Sequence, residues 1–154
     1  MLYCLVLAAA LGGVGPCGLA TAVEVEAVLG AGAVDVPASE IGEETASYCL
    51  WATAGRASEV KLTIWSNEEL PVLDMLDAAA YFAKLHADAV SGGRAMPLAG
   101  LGERAFASDL YPRASGKADG SIVVLKDGRV MVFDFVNVTS REAQTFVASV
   151  VGRL

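Results

Sequence analysis

A single histidine, three cysteines and scattered aspartates are the side chains of this 154-residue chain whose types could support catalysis or metal binding. Any histidine-dependent proton transfer must use His86, because the chain has no other histidine. His86 is therefore a candidate base of a small secreted hydrolase acting with a carboxylate, or a candidate ligand contact. Its position among helically spaced apolar residues favours the alternative, a satisfied histidine in the core.

Cys17 and Cys49 form an even pair once Cys4, which lies in an apolar leader, is set aside. In an oxidising compartment such a pair predicts a disulfide. Closing a loop of about 32 residues would contribute roughly 3–4 kcal/mol in the chain-entropy model. The alternative is two buried free thiols. One histidine and two distant cysteines form no ligand cluster, so we expect neither a metal nor another cofactor.

The segment 2–15 reads LYCLVLAAALGGVG and is apolar or glycine except for Tyr3. This length is too short to span a bilayer as a helix and fits a secretory signal peptide, although no basic residue precedes it. The alternative is a buried N-terminal strand or helix. We expect residues 1–15 to be the leader and residues 16–154 to be a single extracytoplasmic domain. Membrane attachment through the leader or a lipid is a further possibility, against which Pro16 before Cys17 argues.

Two other patterns resemble sites. The glycine-containing segment 100–103 suggests a phosphate loop, but a strand rather than a helix is expected to follow it, so we interpret it as a turn with positive φ at Gly100 and Gly102. Asp74, Asp77 and Asp88 share one face of a predicted helix and are interpreted as a solvated surface. We expect no catalytic residue among them.

The composition argues against two classes of partner. The net charge is −7, and the 11 basic residues are scattered singly, so neither nucleic acid nor an anionic membrane surface is an expected partner.

Hydrophobic periodicity and end signals predict an α+β fold. We expect an antiparallel sheet of about five strands with helices packed on both of its faces. The predicted helices are 21–29, 71–90 and 140–153, and the predicted strands are 48–53, 59–66, 104–108, 121–126 and 129–138. Capping boxes begin the first helix at Thr21 and the last at Thr139, and Asp127-Gly128 predicts a tight hairpin.

Side-chain alternation predicts which surfaces face inward. In the second strand Val60, Leu62 and Ile64 point one way. Trp65 lies on the other face and is a candidate ligand contact or part of a second covered face. Trp51 is expected to pack against the disulfide. The long helix is predicted to bury an apolar stripe, and the last strand to place its valines on one face. The predicted stripe of the helix is Val72, Met75, Leu76, Ala79, Ala83, His86 and Val90. The valines of the last strand are Val130, Val132, Val136 and Val138.

The chain resembles a family of exported actinobacterial domains of unknown function. These domains are often lipoproteins and are similar in pattern to the extracellular sensor domain of a mycobacterial serine/threonine kinase. The matching stretches occur in order along most of 16–154: PCGL at 16–19, TAVEV at 21–25, LG at 29–30, CLW at 49–51, LAGLGERA at 98–105 and VVLKDGRV at 123–130. The resemblance implies a Cys17–Cys49 disulfide and a non-catalytic role in the cell envelope, and it supplies no active-site residues.

Three functions are consistent with these observations. The first is a non-catalytic, sensor-like binding domain, secreted or in the cell envelope, whose partner is a small apolar ligand or an envelope protein. The second is the hydrolase that uses His86. The third is a structural or inhibitory surface protein that acts through protein–protein contacts and exposes a large apolar patch.

Overall fold

The computed structural model describes residues 16–36, 47–110 and 116–154. The predicted leader, residues 1–15, lies outside the described residues. The described helices are α1 (Ala22–Leu29), α2 (Ala78–Ser91) and α3 (Ser140–Val151), with short 3-10 turns at Pro16–Leu19, Ala54–Arg56 and Leu70–Leu73. The strands are β1 (Val34–Asp35), β2 (Ser47–Ala52), β3 (Glu59–Ser66), β4 (Ala95–Leu98), β5 (Arg104–Ser108), β6 (Lys117–Lys126) and β7 (Arg129–Thr139).

The strands form one antiparallel sheet in the order β1-β2-β3-β7-β6-β5-β4. The α+β class is confirmed, but the sheet has seven strands rather than about five. The two strands that the sequence did not predict are its edges. One has only two residues and the other contains Pro97, so neither shows clear alternation.

The predicted helix caps and the predicted hairpin turn are confirmed. Thr21 and Glu24 form a reciprocal capping box at α1, and Thr139 and Glu142 form one at α3. The hairpin between β6 and β7 turns at Asp127-Gly128, where both residues have positive φ (49° and 68°).

The long helix begins later than predicted. Asp74 adopts a left-handed conformation (φ 55°) that separates the 3-10 turn containing Pro71 from the helix. The helix starts after Asp77, whose side chain accepts a hydrogen bond from the Ala80 N–H at 2.8 Å. The signal at Pro71 was therefore wrong for an α-helix, since Asp77 provides the stronger cap.

The buried face of α2 also differs from the prediction. Ala78, Phe82 and Ala89 are buried, whereas Val72, Leu76 and Val90 are 86%, 85% and 54% exposed. Both sides of this helix are apolar, and the side that carries Phe82 and the half-buried Leu85 removes more apolar area from water than a side made mainly of alanine. The side of α2 with the larger side chains therefore faces the core.

The last strand does not keep its valines on one face. Val138 packs with Met131, Phe133 and Phe135, while Val130 belongs to a different group of buried residues. The reason is a bulge: Ala118 pairs with Val138 and Gly120 with Phe135, so β7 has one extra residue, and Asn137 there has φ 58°. An extra residue reverses the alternation beyond it.

The buried apolar residues form two clusters. The larger contains the buried residues of α1 and α3 together with Trp51, Val60, Leu62 and Phe133. The smaller contains those of α2 together with Phe106, Val123, Leu125 and Val130. The inward direction of Val60, Leu62 and Ile64 on β3 is confirmed, and Trp65 packs with the smaller cluster.

Candidate functional site

The disulfide cleft is a cavity on the surface of the described residues. It lies beside the Cys17–Cys49 disulfide and has a volume of about 430 Å³. Its walls come from the N-terminal 3-10 turn, α1, the edge strand β1 and the adjacent β2. The lining residues are Cys17, Ala20, Ala22, Val25, Ala33, Val34, Asp35 and Trp51.

The predicted disulfide is present and fixes one wall of this cleft. Cys17 and Cys49 are bonded, with their Cα atoms 5.0 Å apart. Cys49 is 1% exposed on β2, so the bond ties the N-terminal turn directly to the sheet. The walls of the cleft are therefore held together covalently where they meet.

Trp51 closes the floor of the disulfide cleft. It is 1% exposed and contacts Phe146 of α3 edge to face, with ring centroids 5.7 Å apart. This arrangement agrees with the expectation that Trp51 packs near the disulfide. Because the ring is buried against Phe146, the part of it that lines the cleft is a fixed apolar surface.

Asp35 supplies a carboxylate at the mouth of the cleft. Its oxygen and the two cysteine sulfurs lie within 4.8 Å of one another, a spacing that could hold a metal ion. Metal-binding cysteine is a thiolate, however, and both sulfurs here are consumed by the disulfide. In this oxidised form the carboxylate is a polar group on the lining of the cleft.

The helical groove is a smaller, half-open cavity of about 180 Å³ between α1 and α3. Val28 and Phe146 form its apolar floor, and the exposed Arg141 stands at its rim. At its other end Glu24 accepts a hydrogen bond from Arg153 and belongs to the capping box, which together hold its pKa at about 2. No sequence pattern predicts this groove, because it arises from the packing of two helices far apart in the chain.

His86 lies beside the smaller cluster of buried residues, in contact with two of its aromatic rings. It is half-buried, stacks on Phe82 with centroids 6.3 Å apart and meets Phe106 edge to face at 5.0 Å. The guanidinium carbon of Arg104 lies over the Phe82 ring, 4.8 Å from the ring centroid. Within the described part of the chain no side chain is hydrogen-bonded to His86, so the carboxylate that the hydrolase alternative requires is not in contact with it there.

Trp65 also lies on this side of the molecule. It is half-buried and contacts Tyr81 of α2 edge to face at 6.2 Å. Neither Trp65 nor His86 lines either of the two cavities described above. The structure thus gives Trp65 a packing partner on a covered surface, and its role in ligand binding stays a prediction.

The three aspartates do not converge. Asp77 caps α2, Asp88 pairs with Lys84 at 2.8 Å, and Asp74 lies outside the helix. The glycine segment at 100–103 is a turn that leads into β5, and Gly100 and Gly102 have the expected positive φ, 77° and 59°.

Comparison of the chain with known protein families, with curated proteins and with solved structures finds no match. In the described ranges, no helix combines the length and the apolar content needed to cross a bilayer.

The sequence predicted the disulfide and Trp51 but missed the rest of the cleft. No strand was predicted between the helix at 21–29 and the strand at 48–53, whereas Val34 and Asp35 pair with Ala52 and Trp51 as the edge strand β1. A two-residue strand leaves almost no pattern in a sequence, although the alternation of Val34, Asp35 and Val36 is a faint signal.

Proposed function

We propose that this chain is a non-catalytic, extracytoplasmic binding domain, sensor-like in character, that takes a small apolar ligand in the disulfide cleft. The observation that carries the proposal is the cleft itself. Its volume of about 430 Å³ falls within the roughly 300–1,000 Å³ typical of small-molecule sites, and its lining is mostly apolar with one carboxylate.

The disulfide supports an extracytoplasmic location, because disulfides persist in oxidising compartments and are rare in the cytosol. The apolar segment 2–15 supports the same location as a leader. The chain is therefore proposed to be secreted or to reside in the cell envelope, with the leader or a lipid as the means of any membrane attachment. The resemblance to exported sensor domains points the same way.

The proposed binding domain is a sandwich with helices on both faces of its sheet. In support, successive residues of β6 alternate between the two clusters: Ile122 and Val124 belong to the one containing α1 and α3, and Val123 and Leu125 belong to the one containing α2. This arrangement leaves the disulfide cleft at the β1 edge of the sheet.

The surroundings of His86 support a non-catalytic role over the hydrolase alternative. General base catalysis requires a histidine that reaches its substrate and is oriented by a partner. His86 instead contacts two phenylalanine rings, and no carboxylate contacts it within the described residues.

One observation favours a role in protein–protein contact as a second candidate function. Val72, Leu76 and Val90 are large aliphatic residues that are 86%, 85% and 54% exposed near one helix. An exposed apolar surface of this kind is typical of an interaction site. In this second function the chain is a structural or inhibitory surface protein, and its partner is an envelope protein.

The test uses the full chain, expressed in an oxidising compartment and purified with the disulfide intact. Native mass spectrometry first detects any retained small molecule and the two-dalton loss of the disulfide. Titration with the neutral fluorophore N-phenyl-1-naphthylamine then measures apolar binding, in the parent protein and in Val34→Glu and Val23→Glu. Val34 lines the cleft and is 63% exposed, whereas Val23 is 76% exposed and lines neither cavity.

We expect Val34→Glu to weaken fluorophore binding by about tenfold or more, because a charge placed in an apolar site must lose hydration when the ligand enters. Val23→Glu should bind as the parent does. Equal binding by both variants, or no saturable binding by the parent, would remove the disulfide cleft as the site.

A further inference from the structure

The helical groove between α1 and α3 carries a positive charge that the fold does not use. Arg141 lines the groove and is exposed, and its guanidinium has no ion-pair or hydrogen-bond partner in the part of the chain that the structure describes. Arg141 lies in the first turn of α3, where a positive charge opposes the helix dipole. Neither an internal contact nor the stability of the helix therefore accounts for an arginine at this position.

The two other charged residues that line the groove, Glu24 and Glu142, are already bound within the fold. Glu24 accepts hydrogen bonds from Arg153 and from its own capping box, and these hold its pKa at about 2. Glu142 accepts hydrogen bonds from the Thr139 N–H at 3.1 Å and from the Thr139 hydroxyl at 2.8 Å. Among the charged groups of the described lining, the guanidinium of Arg141 is thus the one left to pair with a ligand.

The shape of the groove limits which anion would fit. Its floor is apolar and is formed by Ala27, Val28 and Phe146. Its volume of about 180 Å³ lies below the roughly 300–1,000 Å³ of sites for drug-sized molecules, so a ligand must be small. Along α3 the groove runs from Arg141 to Ser149, which is about 12 Å at 1.5 Å per residue. An extended chain of about eight carbons has a similar length, about 10 Å.

We propose that the helical groove binds a free carboxylate with an unbranched apolar chain of about eight carbons. Its carboxylate pairs with Arg141, and its chain lies over Val28 and Phe146 toward Ser149. A guanidinium donates two parallel hydrogen bonds to a carboxylate, which fixes the orientation of that end. A single positive charge matches a singly charged carboxylate, whereas a doubly charged phosphate would keep a negative charge close to the carboxylates of the lining.

The openness of the groove sets the expected affinity. Only part of the alkyl chain leaves water, and an arginine–carboxylate pair near the surface contributes little. We therefore expect a dissociation constant on the order of 1 mM for octanoate. The helical groove and the disulfide cleft have no lining residue in common, so this is a second site, separate from that of the proposed function.

A nuclear magnetic resonance titration of the isotopically labelled full chain, with the disulfide intact, tests the proposal. Sodium octanoate is added to about 10 mM at constant ionic strength, and the amide chemical shifts are followed. The variants are Arg141→Gln and the matched control Arg129→Gln, since Arg129 is exposed and lines neither cavity. Glutamine is favourable in a helix, and removing a positive charge from the first turn does not oppose the dipole, so Arg141→Gln should fold. Circular dichroism checks this.

We expect octanoate to cause saturable shifts at Val28, Thr145 and Phe146 in the parent and in Arg129→Gln. Arg141→Gln should bind octanoate about fivefold more weakly or worse, because it loses the charge-assisted hydrogen bonds. Octan-1-ol has the same chain without the charge. At about 2 mM it should shift these amides less than octanoate does in the parent, and equally in the parent and in Arg141→Gln.

Three results would overturn the proposal. The first is a parent chain without saturable shifts in the helical groove up to about 10 mM octanoate. The second is octanoate binding that Arg141→Gln leaves unchanged, because the groove would then select for apolar content alone. The third is a set of shifts confined to the disulfide cleft around Val34 and Trp51. That result would support the proposed function while removing the helical groove as a site, so the two proposals can fail separately.

Discussion

Arg153 and Glu24 are joined by an ion pair with a nitrogen–oxygen distance of 2.5 Å, although they are 129 positions apart in the chain. The same guanidinium donates a hydrogen bond to the Leu19 carbonyl at 2.9 Å. Arg153 therefore connects the end of the chain with both the N-terminal turn and α1, the two elements that form one side of the disulfide cleft.

This pair predicts an acid-sensitive contribution to stability. The hydrogen bond from Arg153, followed by that from the Thr21 backbone, lowers the pKa of Glu24 from 4.5 to about 2. A carboxyl group whose pKa is depressed in the folded state stabilises that state above its unfolded pKa, and this contribution is lost as the pH falls through the folded value. The stabilisation should be complete above about pH 5 and disappear between about pH 4.5 and pH 2.

Urea unfolding of the parent and of Glu24→Gln across this range checks the prediction. Glutamine can keep the capping box, so the variant removes mainly the charge. The gap between the two urea midpoints should be largest near neutral pH and close to zero at pH 2. Glu26→Gln, an exposed position of the same helix, is the control and should show no such gap. A gap for Glu24→Gln that does not change with pH would contradict the depressed pKa.

The disulfide predicts a larger effect on stability. It closes a loop with a sequence separation of 32 residues, so its removal should cost about 3–4 kcal/mol of unfolding free energy. The double variant Cys17→Ala and Cys49→Ala, compared with the parent by urea unfolding at neutral pH, measures this loss. A reductant should destabilise the parent to a similar extent and leave the variant unchanged. A loss below about 1 kcal/mol would show that the unfolded chain is not constrained as the entropy model assumes.

The features that could be predicted from the sequence are those that neighbouring residues determine. Thr21 and Glu24 are three positions apart, and Asp127 and Gly128 are adjacent, so the information for the cap and the turn is local. The buried face of α2 could not be predicted in this way, because both of its sides are apolar. The choice between Phe82 and the outer alanines depends on what the sheet presents to the helix.

The candidate site follows the same rule. Cys17 and Cys49 could be paired from sequence, because setting Cys4 aside with the predicted leader leaves an even number of cysteines. The cleft around them could not be predicted, since Val34 becomes part of it by pairing with Ala52 eighteen positions further along the chain. Pairing of this kind leaves a clear pattern only where strands are long.

The bulge in β7 predicts a specific order of stability at Asn137. This residue has φ 58°, and its side-chain amide donates hydrogen bonds to the Ala57 carbonyl at 3.2 Å and to the Ser58 hydroxyl at 3.1 Å. Asn137→Gly loses these bonds but keeps the backbone conformation easily, so it should cost about 1–2 kcal/mol. Asn137→Ala loses the same bonds and adds roughly 1–2 kcal/mol of left-handed strain.

Chemical denaturation of the three proteins checks this order, with the parent most stable and the alanine variant least. The comparison of glycine with alanine isolates the backbone term, because neither side chain can form the hydrogen bonds. If alanine proved as stable as glycine, the left-handed conformation at position 137 would be excluded.

Gly120 occupies a position where the chain cannot accommodate a side chain. A Cβ atom there would lie 2.4 Å from the Ser108 carbonyl oxygen and 2.6 Å from the Asp109 carbonyl carbon, both of which are backbone atoms. Gly120→Ala must therefore separate β6 from the end of β5, and it should cost about 3 kcal/mol or more of unfolding free energy. Gly152→Ala is the matched control, since its Cβ would lie 3.2 Å from the Ala148 carbonyl oxygen and its conformation is helical (φ −66°). Its effect should stay within about 1 kcal/mol, because alanine's helix propensity offsets the close contact. Thermal and urea unfolding of the two variants measure the difference, and a Gly120→Ala protein as stable as Gly152→Ala would mean that the two strand segments are farther apart than the structure places them.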